Sequence, residues 1–414
     1  MQAAVHRDGR LSFMTDPIAD FYTRHPYPPP VENLDRARDE WRDPDRHRTE
    51  FHLFWPERPY RADLDILVAG CGTWQAARYA VTRPAARVVG IDVSATSIEH
   101  TRQLKQKYDL TNLELRQLSV EHAGELTREF DLIICTGVLH HLADPDAGLR
   151  ALRSVLRADG AMYLMVYAPY GRAGIYMLQD YCRRLGIGTS DQEIRDLAAT
   201  VDALPRHHPL SAALRSARDA HNTDALADAL LNPRDRSFSV PQLVELLDRH
   251  GLIFHRWFWQ APYLPQCGAI AGTPHASRLA ALPEREQYAA MELWRGTMTT
   301  HSVIVRRANE ARALESGGFA GDGWIQSVPI RRPWTQLVHE RVPQGAAAVV
   351  LNRSHAFPDL VLVLDADDKR LFDGIDGRRT IGDITAAAQA APDRARTFFE
   401  KLWRYDQIVL AGLH

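Results

Sequence analysis

Between residues 64 and 167 the chain alternates short apolar runs with amphipathic stretches. Residues 64–69, 87–92, 113–118, 130–136 and 161–167 have the length and apolar density of strands, and the stretches between them carry helical periodicity. Repetition of strand and helix predicts a parallel sheet covered by helices on both faces. One helix is closely punctuated: Asp144 as cap, Pro145 at the first position, Leu149, Leu152, Val155 and Leu156 on one face, and Gly160 after its end. Ahead of the sheet, residues 21–41 open with Phe21-Tyr22-Thr23-Arg24-His25-Pro26-Tyr27-Pro28-Pro29-Pro30. Proline fixes φ, so an aromatic, extended arm is expected there, followed by a charged helical segment.

Beyond Pro169 the strands stop and the pattern turns helical up to Arg236, which predicts an insertion. A helix at 240–250 and strands at 253–259 and 302–306 then complete the sheet with an antiparallel pair. Residues 309–324 are polar and Gly-rich, as linkers are. The tail offers strands at 336–341, 346–352 and 360–364, helices at 367–375, 381–391 and 394–405, and a closing strand at 407–410, the order of a winged-helix-like module. The expected organisation is an arm over 1–50, an α/β domain over 51–307 with the helical insertion at about 170–236, a linker over 308–325, and a small α+β domain over 326–414.

Composition narrows the class without naming it. With 414 residues, 45% hydrophobic and 25% charged, the chain can bury two cores. Lys and Arg total 50 against 52 for Asp and Glu, and neither sign forms a long block, so nucleic acid and membrane are not expected partners. The four cysteines, Cys71, Cys135, Cys182 and Cys267, form no Cys-x-x-Cys pair, which argues against a zinc knuckle or a disulfide framework. With no signal-peptide core and no apolar run of spanning length, the expected location is the cytoplasm. No metal site is expected: His207, His208 and His25 lack partners at ligand spacing.

The first strand runs into Ala69-Gly70-Cys71-Gly72-Thr73-Trp74-Gln75, a glycine pair where a strand hands over to a helix. Backbone there can approach a ligand closely, with a helix N-terminus behind it. Asp92 closes the second strand about twenty residues later, where doubly wound folds bind ribose hydroxyls. The pair suits an adenosine-containing cofactor, against the alternative of a tight turn with no ligand. Gln75 stands where a dinucleotide site has its third glycine, which weakens a nicotinamide reading.

The segment Phe130-Asp131-Leu132-Ile133-Ile134-Cys135-Thr136-Gly137-Val138-Leu139-His140-His141-Leu142, followed by Asp144-Pro145, closely resembles the fourth strand and following loop of class I methyltransferases of the ubiquinone/menaquinone-biosynthesis type. The likeness runs from Leu64 to about Tyr167 and resumes from Phe238 to Arg307. It implies a doubly wound, seven-stranded Rossmann-like sheet and S-adenosyl-L-methionine as cofactor. Gly70 and Gly72, with Ala69, Cys71 and Gln75 on the same turn, would face the methionine portion. Asp92, with Val93, would hold the ribose. Ser119 and Val120 match the adenine position, where the family usually has an acid, so adenine recognition is expected to rest on backbone groups. Thr136 and Gly137 match the loop lining the transferable methyl group.

A sulfonium is already an activated donor, so the protein's main tasks are aligning a nucleophile behind the methyl carbon and excluding water. A hydroxyl or protonated amine acceptor would benefit from a base, and His140 and His141 are the first candidates, against the alternative of a structural loop-to-helix element. Tyr167 is a third catalytic candidate. Tyr170 and Arg172 lie just past the fifth strand, where an acceptor would bind, and Arg172 could hold a carboxylate in bidentate fashion. Arg236 and Tyr263, with Trp257 and Trp259, belong to the same class, and for all of these ordinary packing is the alternative. Tyr22, His25 and Tyr27 give the arm the look of a lid over the cofactor, with simple docking on the sheet edge as its rival.

Residues 369–384 are similar to the helix-turn-helix core of winged-helix domains that bind leader peptides, and a comparable tail occurs on some bacterial protein methyltransferases. This implies a peptide acceptor added to a strand edge. A dimerisation or shielding module is the alternative, and DNA binding is disfavoured because Asp373, Asp376 and Asp383 balance Arg378 and Arg379. The leading reading is in-line methyl transfer to a nitrogen or oxygen of a small molecule, a free amino acid or secondary metabolite among them, enclosed by the insertion. A peptide or protein methyltransferase recruiting through the tail is the second. A non-catalytic cofactor sensor is the third, and a homodimer is left open.

Overall fold

The structure, a computed structural model, describes residues 16–211, 222–307, 319 and 321–412, with a two-residue strand pair at Ala4–Val5 and Leu11–Ser12. Helix α1 (Pro17–Arg24) starts where Asp16 Oδ1 accepts the Ile18 N–H and Pro17 takes the first position, whose own donor would have no helical partner. The aromatic arm is therefore helical through Arg24, and only the proline-rich run that follows is extended. The cap and the burial of Ile18 and Phe21 on one face decide this, because the helix-breaking prolines begin only at Pro26. Helices α2 (Asp35–Glu40) and α3 (Pro44–Phe54) make up the charged segment.

Strands and helices then alternate: β1 (Asp65–Ala69), α4 (Gln75–Thr82), β2 (Arg87–Asp92), α5 (Ala95–Lys107), β3 (Leu113–Gln117), β4 (Phe130–Thr136), α6 (Pro145–Ser154) and β5 (Leu156–Tyr167). The insertion contributes α7 (Ala173–Leu185), α8 (Asp191–Asp202) and α9 (Thr223–Leu231), and α10 (Val240–Arg249), β6 (Leu252–Trp257), α11 (Glu284–Arg295) and β7 (Thr300–Arg307) follow. The seven-stranded sheet has the order β3-β2-β1-β4-β5-β7-β6. β1 runs parallel to β2 and β4, and β6 is antiparallel to β7. This is the doubly wound, Rossmann-like arrangement. Every residue of β1 is buried, which is why it reads as an unbroken apolar run rather than an alternating one.

α6 ends earlier than its sequence suggests. The Val155 carbonyl accepts the Phe130 N–H at 2.8 Å, and β5 begins at the fully buried Leu156. Val155 and Leu156 thus lead into a strand instead of closing a helix face, and Gly160 lies within β5.

By its contacts the chain forms two compact units: Met1–Arg36, Asp65–Leu156 and Met165–Phe238 in one, and Ala37–Leu64, Arg157–Leu164 and Ser239–His414 in the other. In the second, β8 (Val328–Arg331) pairs antiparallel with the last strand, and β9 (Thr335–Val338), β10 (Ala348–Asn352) and β11 (Val361–Leu364) form an antiparallel sheet. Helices α12 (Ala366–Asp373), α13 (Ile381–Ala387) and α14 (Pro392–Arg404) precede the closing strand β12 (Ile408–Ala411). Their core includes Val350, Phe372, Ile381, Phe399, Leu402 and Ile408. Strands, three helices and a closing strand follow in the expected order, while β8 and α11 escape the sequence pattern. Of the expected linker, 308–318 and 320 lie outside the described residues, and Phe319 and Trp324 are buried in this core. No described helix is long and apolar enough to cross a membrane.

Two buried groups of the second unit set its response to mutation and acid. Asp406, 0% exposed, meets Arg332 at 3.0 Å and Arg256 at 3.3 Å through Oδ1 and accepts the Ala261 N–H through Oδ2. Asp406→Asn would leave two buried guanidiniums without their counter-charge, and urea unfolding should show a loss of about 3–5 kcal/mol. Burial lowers the His52 pKa from 6.5 to about 4. Unfolded His52 takes up a proton below about pH 6.5 and folded His52 only below about pH 4, so its contribution is intact above that window and lost as pH falls through it. Between pH 7 and 4 the wild type should lose up to about 3 kcal/mol more than His52→Gln, a difference that equal slopes for the two proteins would refute.

Candidate active site

The turn after β1 is made by two glycines with positive φ, +70° at Gly70 and +53° at Gly72. The Ile91 carbonyl accepts both the Gly70 and Cys71 N–H groups, at 2.8 and 2.9 Å, which holds the turn against the end of β2. Asp92 then binds the Gly72 N–H through Oδ2 at 2.8 Å and the Ser94 N–H through Oδ1 at 2.9 Å. Burial raises the Asp92 pKa against the pull of these backbone donors. With the Val93 N–H as a third backbone donor, the carboxylate keeps an acceptor position that a ribose hydroxyl can use.

Side-chain oxygens tie the surroundings to this turn. Thr101 donates to the Gly72 carbonyl at 3.0 Å, Thr73 to the Pro28 carbonyl at 2.7 Å, and Ser94 to the Tyr22 carbonyl at 3.0 Å. The arm therefore lies on the glycine turn, and a β-carbon at Gly72 would stand 2.8 Å from Pro28 Cδ. Gln75 Nε2 donates to Thr136 Oγ1 at 2.9 Å, linking the start of α4 to the mouth of β4. The Gly137 N–H bonds to the Met165 carbonyl at 3.1 Å. Ala69 and Cys71 are fully buried, and burial, with Asp92 adding to it, pushes the Cys71 thiol well up, so it is no nucleophile. Val93 is half-buried beside Asp92. Ser119 caps the 3-10 turn that starts at the buried Val120, accepting the Glu121 N–H. Glycine backbone, a carboxylate with a spare acceptor position and a Thr136 hydroxyl form a polar set suited to an adenosyl sulfonium cofactor.

The acceptor-side candidates gather at the carboxyl ends of β4 and β5. His140, 0% exposed, accepts the Tyr167 N–H at Nδ1 at 3.3 Å, which puts its proton on Nε2. Burial drives its pKa well below normal, helped by His141 and Arg172. His141 has the opposite tautomer: Nδ1–H donates to the Arg234 carbonyl at 2.7 Å, leaving Nε2 with a lone pair. The Tyr167 ring lies between the His140 ring, 3.8 Å away, and the Arg172 guanidinium, 3.4 Å from its centroid. Arg172 is itself held by Asp235 at 3.2 Å, so its carboxylate partner comes from the protein. Burial works against its charge, but Tyr167 and Asp235 outweigh it and its pKa rises.

Tyr22 reaches the same place from α1, its ring 6.0 Å from that of His141 and its hydroxyl donating to Asp228 at 2.7 Å. Tyr27 is felt electrostatically by Tyr167. Arg236 is spent on the loop after the histidines, donating to the Leu142 and Ala143 carbonyls, each at 3.3 Å. Tyr170 is exposed. Tyr263 belongs to the second unit, buried and stacked on Trp257, with its hydroxyl 2.7 Å from His301 Nδ1. Sequence reasoning missed Ser94 and Thr101, although a serine capping the helix after Asp92 is a readable signal. It also missed Asp228, Asn232 and Asp235, which have no local signal because only the folded insertion brings them here. Among the described residues no group of His, Cys, Asp or Glu is placed to hold a metal ion.

Residues 67–162 match the methyltransferase domain family. An uncharacterised protein of Synechococcus sp. is 31% identical over 257 residues, covering 58% of this chain and 59% of its own. The ubiquinone biosynthesis O-methyltransferase of Alkalilimnicola ehrlichii is 28% identical over 36% of this chain and 62% of its own. The chain thus spans about three fifths of the length of these curated relatives. Among solved structures, PKMT2 from Rickettsia typhi in complex with AdoHcy superposes with a TM-score of 0.61 at 19% identity, over 88% of this chain and 73% of its own. Family match, strand order and the glycine turn with Asp92 together show that the chain carries a class I S-adenosylmethionine-dependent methyltransferase domain.

Proposed function

We propose that the protein transfers the methyl group of S-adenosylmethionine to a peptide or protein acceptor. The observation that carries the acceptor class is the reach of the fold likeness: PKMT2, a protein lysine methyltransferase, matches over 88–93% of this chain, second unit included. The curated ubiquinone O-methyltransferases match only 32–36% of it. The small-molecule reading therefore has support in the methyltransferase domain alone. The outer strand β11, with Val361 and Val363 exposed, is a suitable edge for an extended peptide to join.

In this reading Asp92 and Val93 hold the ribose, the backbone of Gly70, Cys71 and Gly72 receives the methionine portion, and Ser119 and Val120 flank the adenine. Thr136, Gly137 and Gln75 line the approach to the methyl carbon. The bound cofactor supplies an electrophilic methyl on a sulfonium. The protein's contribution is to hold the acceptor in line and keep water away. With Nδ1 committed to a carbonyl, His141 is the histidine able to take a proton at Nε2, and His140, neutral and proton-bearing at Nε2, braces Tyr167 by accepting its N–H at Nδ1.

Calorimetric titration tests the cofactor part. Wild-type protein should bind S-adenosylmethionine and S-adenosylhomocysteine but not NADH. Asp92→Ala should bind the sulfur compounds about ten- to a hundred-fold more weakly, the effect of losing charge-assisted bonds of roughly 1.5–3 kcal/mol. Absence of binding by folded wild-type protein would overturn the proposal.

A further inference from the structure

Asp228 stands on α9 with 4% of its surface exposed. Its Oδ1 receives the Tyr22 hydroxyl at 2.7 Å and the Asn232 amide at 3.3 Å, while among the described residues no donor meets Oδ2. The second phenol of the cluster, Tyr167, is closed on both ring faces by His140 and Arg172, so only its hydroxyl edge can reach a ligand. That hydroxyl also has no hydrogen-bond partner among the described residues. The Tyr22 and Tyr167 rings both lie against His141, at 6.0 and 5.6 Å, and burial, then the Asp228 charge, raises the pKa of each. The nearby cation Arg172 is committed to Asp235. Neither this Asp228 oxygen nor the Tyr167 hydroxyl is among the sealed, unpartnered polar atoms of the described residues, so both stay open to a ligand.

Resting on the methyl-transfer reading above, we propose that Asp228 and the hydroxyls of Tyr22 and Tyr167 form the acceptor subsite for a lysine-type primary amine, entering as an ammonium ion. Each of the three oxygens keeps an acceptor position, the Tyr22 hydroxyl one beside the Asn232 amide it already accepts at 3.0 Å, and together they match the three N–H donors of an ammonium. A carboxylate acceptor would meet the like charge of Asp228, and a guanidinium fork would find Oδ1 already filled by two donors. The location suits the chemistry: Tyr167 lies two residues past Met165, whose carbonyl is bonded to Gly137, hence about 6–7 Å further along β5 at the carboxyl edge. One ammonium proton passes to solvent water, and the neutral amine keeps two N–H bonds to these oxygens with its lone pair free. The new N–C bond forms as the methyl carbon leaves sulfur, and the product is again an ammonium that Asp228 balances.

The test uses the full chain with tritium-labelled S-adenosylmethionine, poly-L-lysine and heat-denatured bacterial lysate protein, each also supplied with its amines acetylated. We expect label in polypeptide, recovered as methyl-lysine after acid hydrolysis and abolished by prior acetylation. Asp228→Asn should cut the transfer rate at least tenfold, and Tyr22→Phe several-fold, with S-adenosylhomocysteine affinity unchanged. Base-labile label in protein, label in acetylated polypeptide, or wild-type rates in a folded Asp228→Asn would overturn the amine subsite and leave protein methylation standing. Label confined to small molecules, or to no fraction at all, would overturn both.

Discussion

A β-carbon at Gly72 would stand 2.8 Å from Pro28 Cδ, and one at Gly70 would overlap Val138 Cγ2, so the turn after β1 exists only because neither residue has a side chain. Three segments meet at that point: the arm, the turn itself and the loop after β4. Their closeness lets a carboxylate at the end of β2 bind the Gly72 N–H and lets Thr73 and Ser94 reach carbonyls of the arm. This end of the sheet, where we propose the cofactor binds, is thus one hydrogen-bonded assembly, in which the arm is a wall.

Tyr22 joins that assembly to the helical insertion. Its carbonyl takes the Ser94 hydroxyl, which sits beside Asp92, and its own hydroxyl reaches Asp228 on the insertion. A single residue therefore touches the turn beside Asp92 with its backbone and the insertion with its side chain. In a doubly wound sheet the carboxyl ends of the strands converge on one edge, which is why residues from β4, β5, the arm and the insertion can share so small a volume.

Charge in this region is treated in two ways. Arg172 and Asp235, both buried, neutralise each other, and the guanidinium also covers the Tyr167 ring. Asp228 is held by neutral donors alone, a phenol and an amide. A paired buried charge stabilises what surrounds it, whereas one with a spare lone pair retains the capacity to bind. In the proposed site the contrast separates the framework from the part left to meet a ligand.

Local chemistry made much of this protein legible before any fold was seen. Apolar runs bounded by turn residues located β1 to β4 and the antiparallel pair closely, β1 and β4 most clearly because nearly every residue in them is buried, and the spacing of Gly70, Gly72 and Asp92 announced the tight turn that Asp92 closes. Where local and long-range preferences compete, the sequence was ambiguous: Val155 and Leu156 fit a helix face, yet the Phe130 N–H claims the Val155 carbonyl. Phe21 and Tyr22 looked extended beside a proline run that in fact starts only after the capped α1 has closed. The tautomers of His140 and His141, the engagement of Arg172 by Asp235 and the placement of Asp228 were beyond reach. Each depends on a partner 27 to 206 positions away along the chain, and only the packed tertiary structure brings such groups within hydrogen-bonding distance.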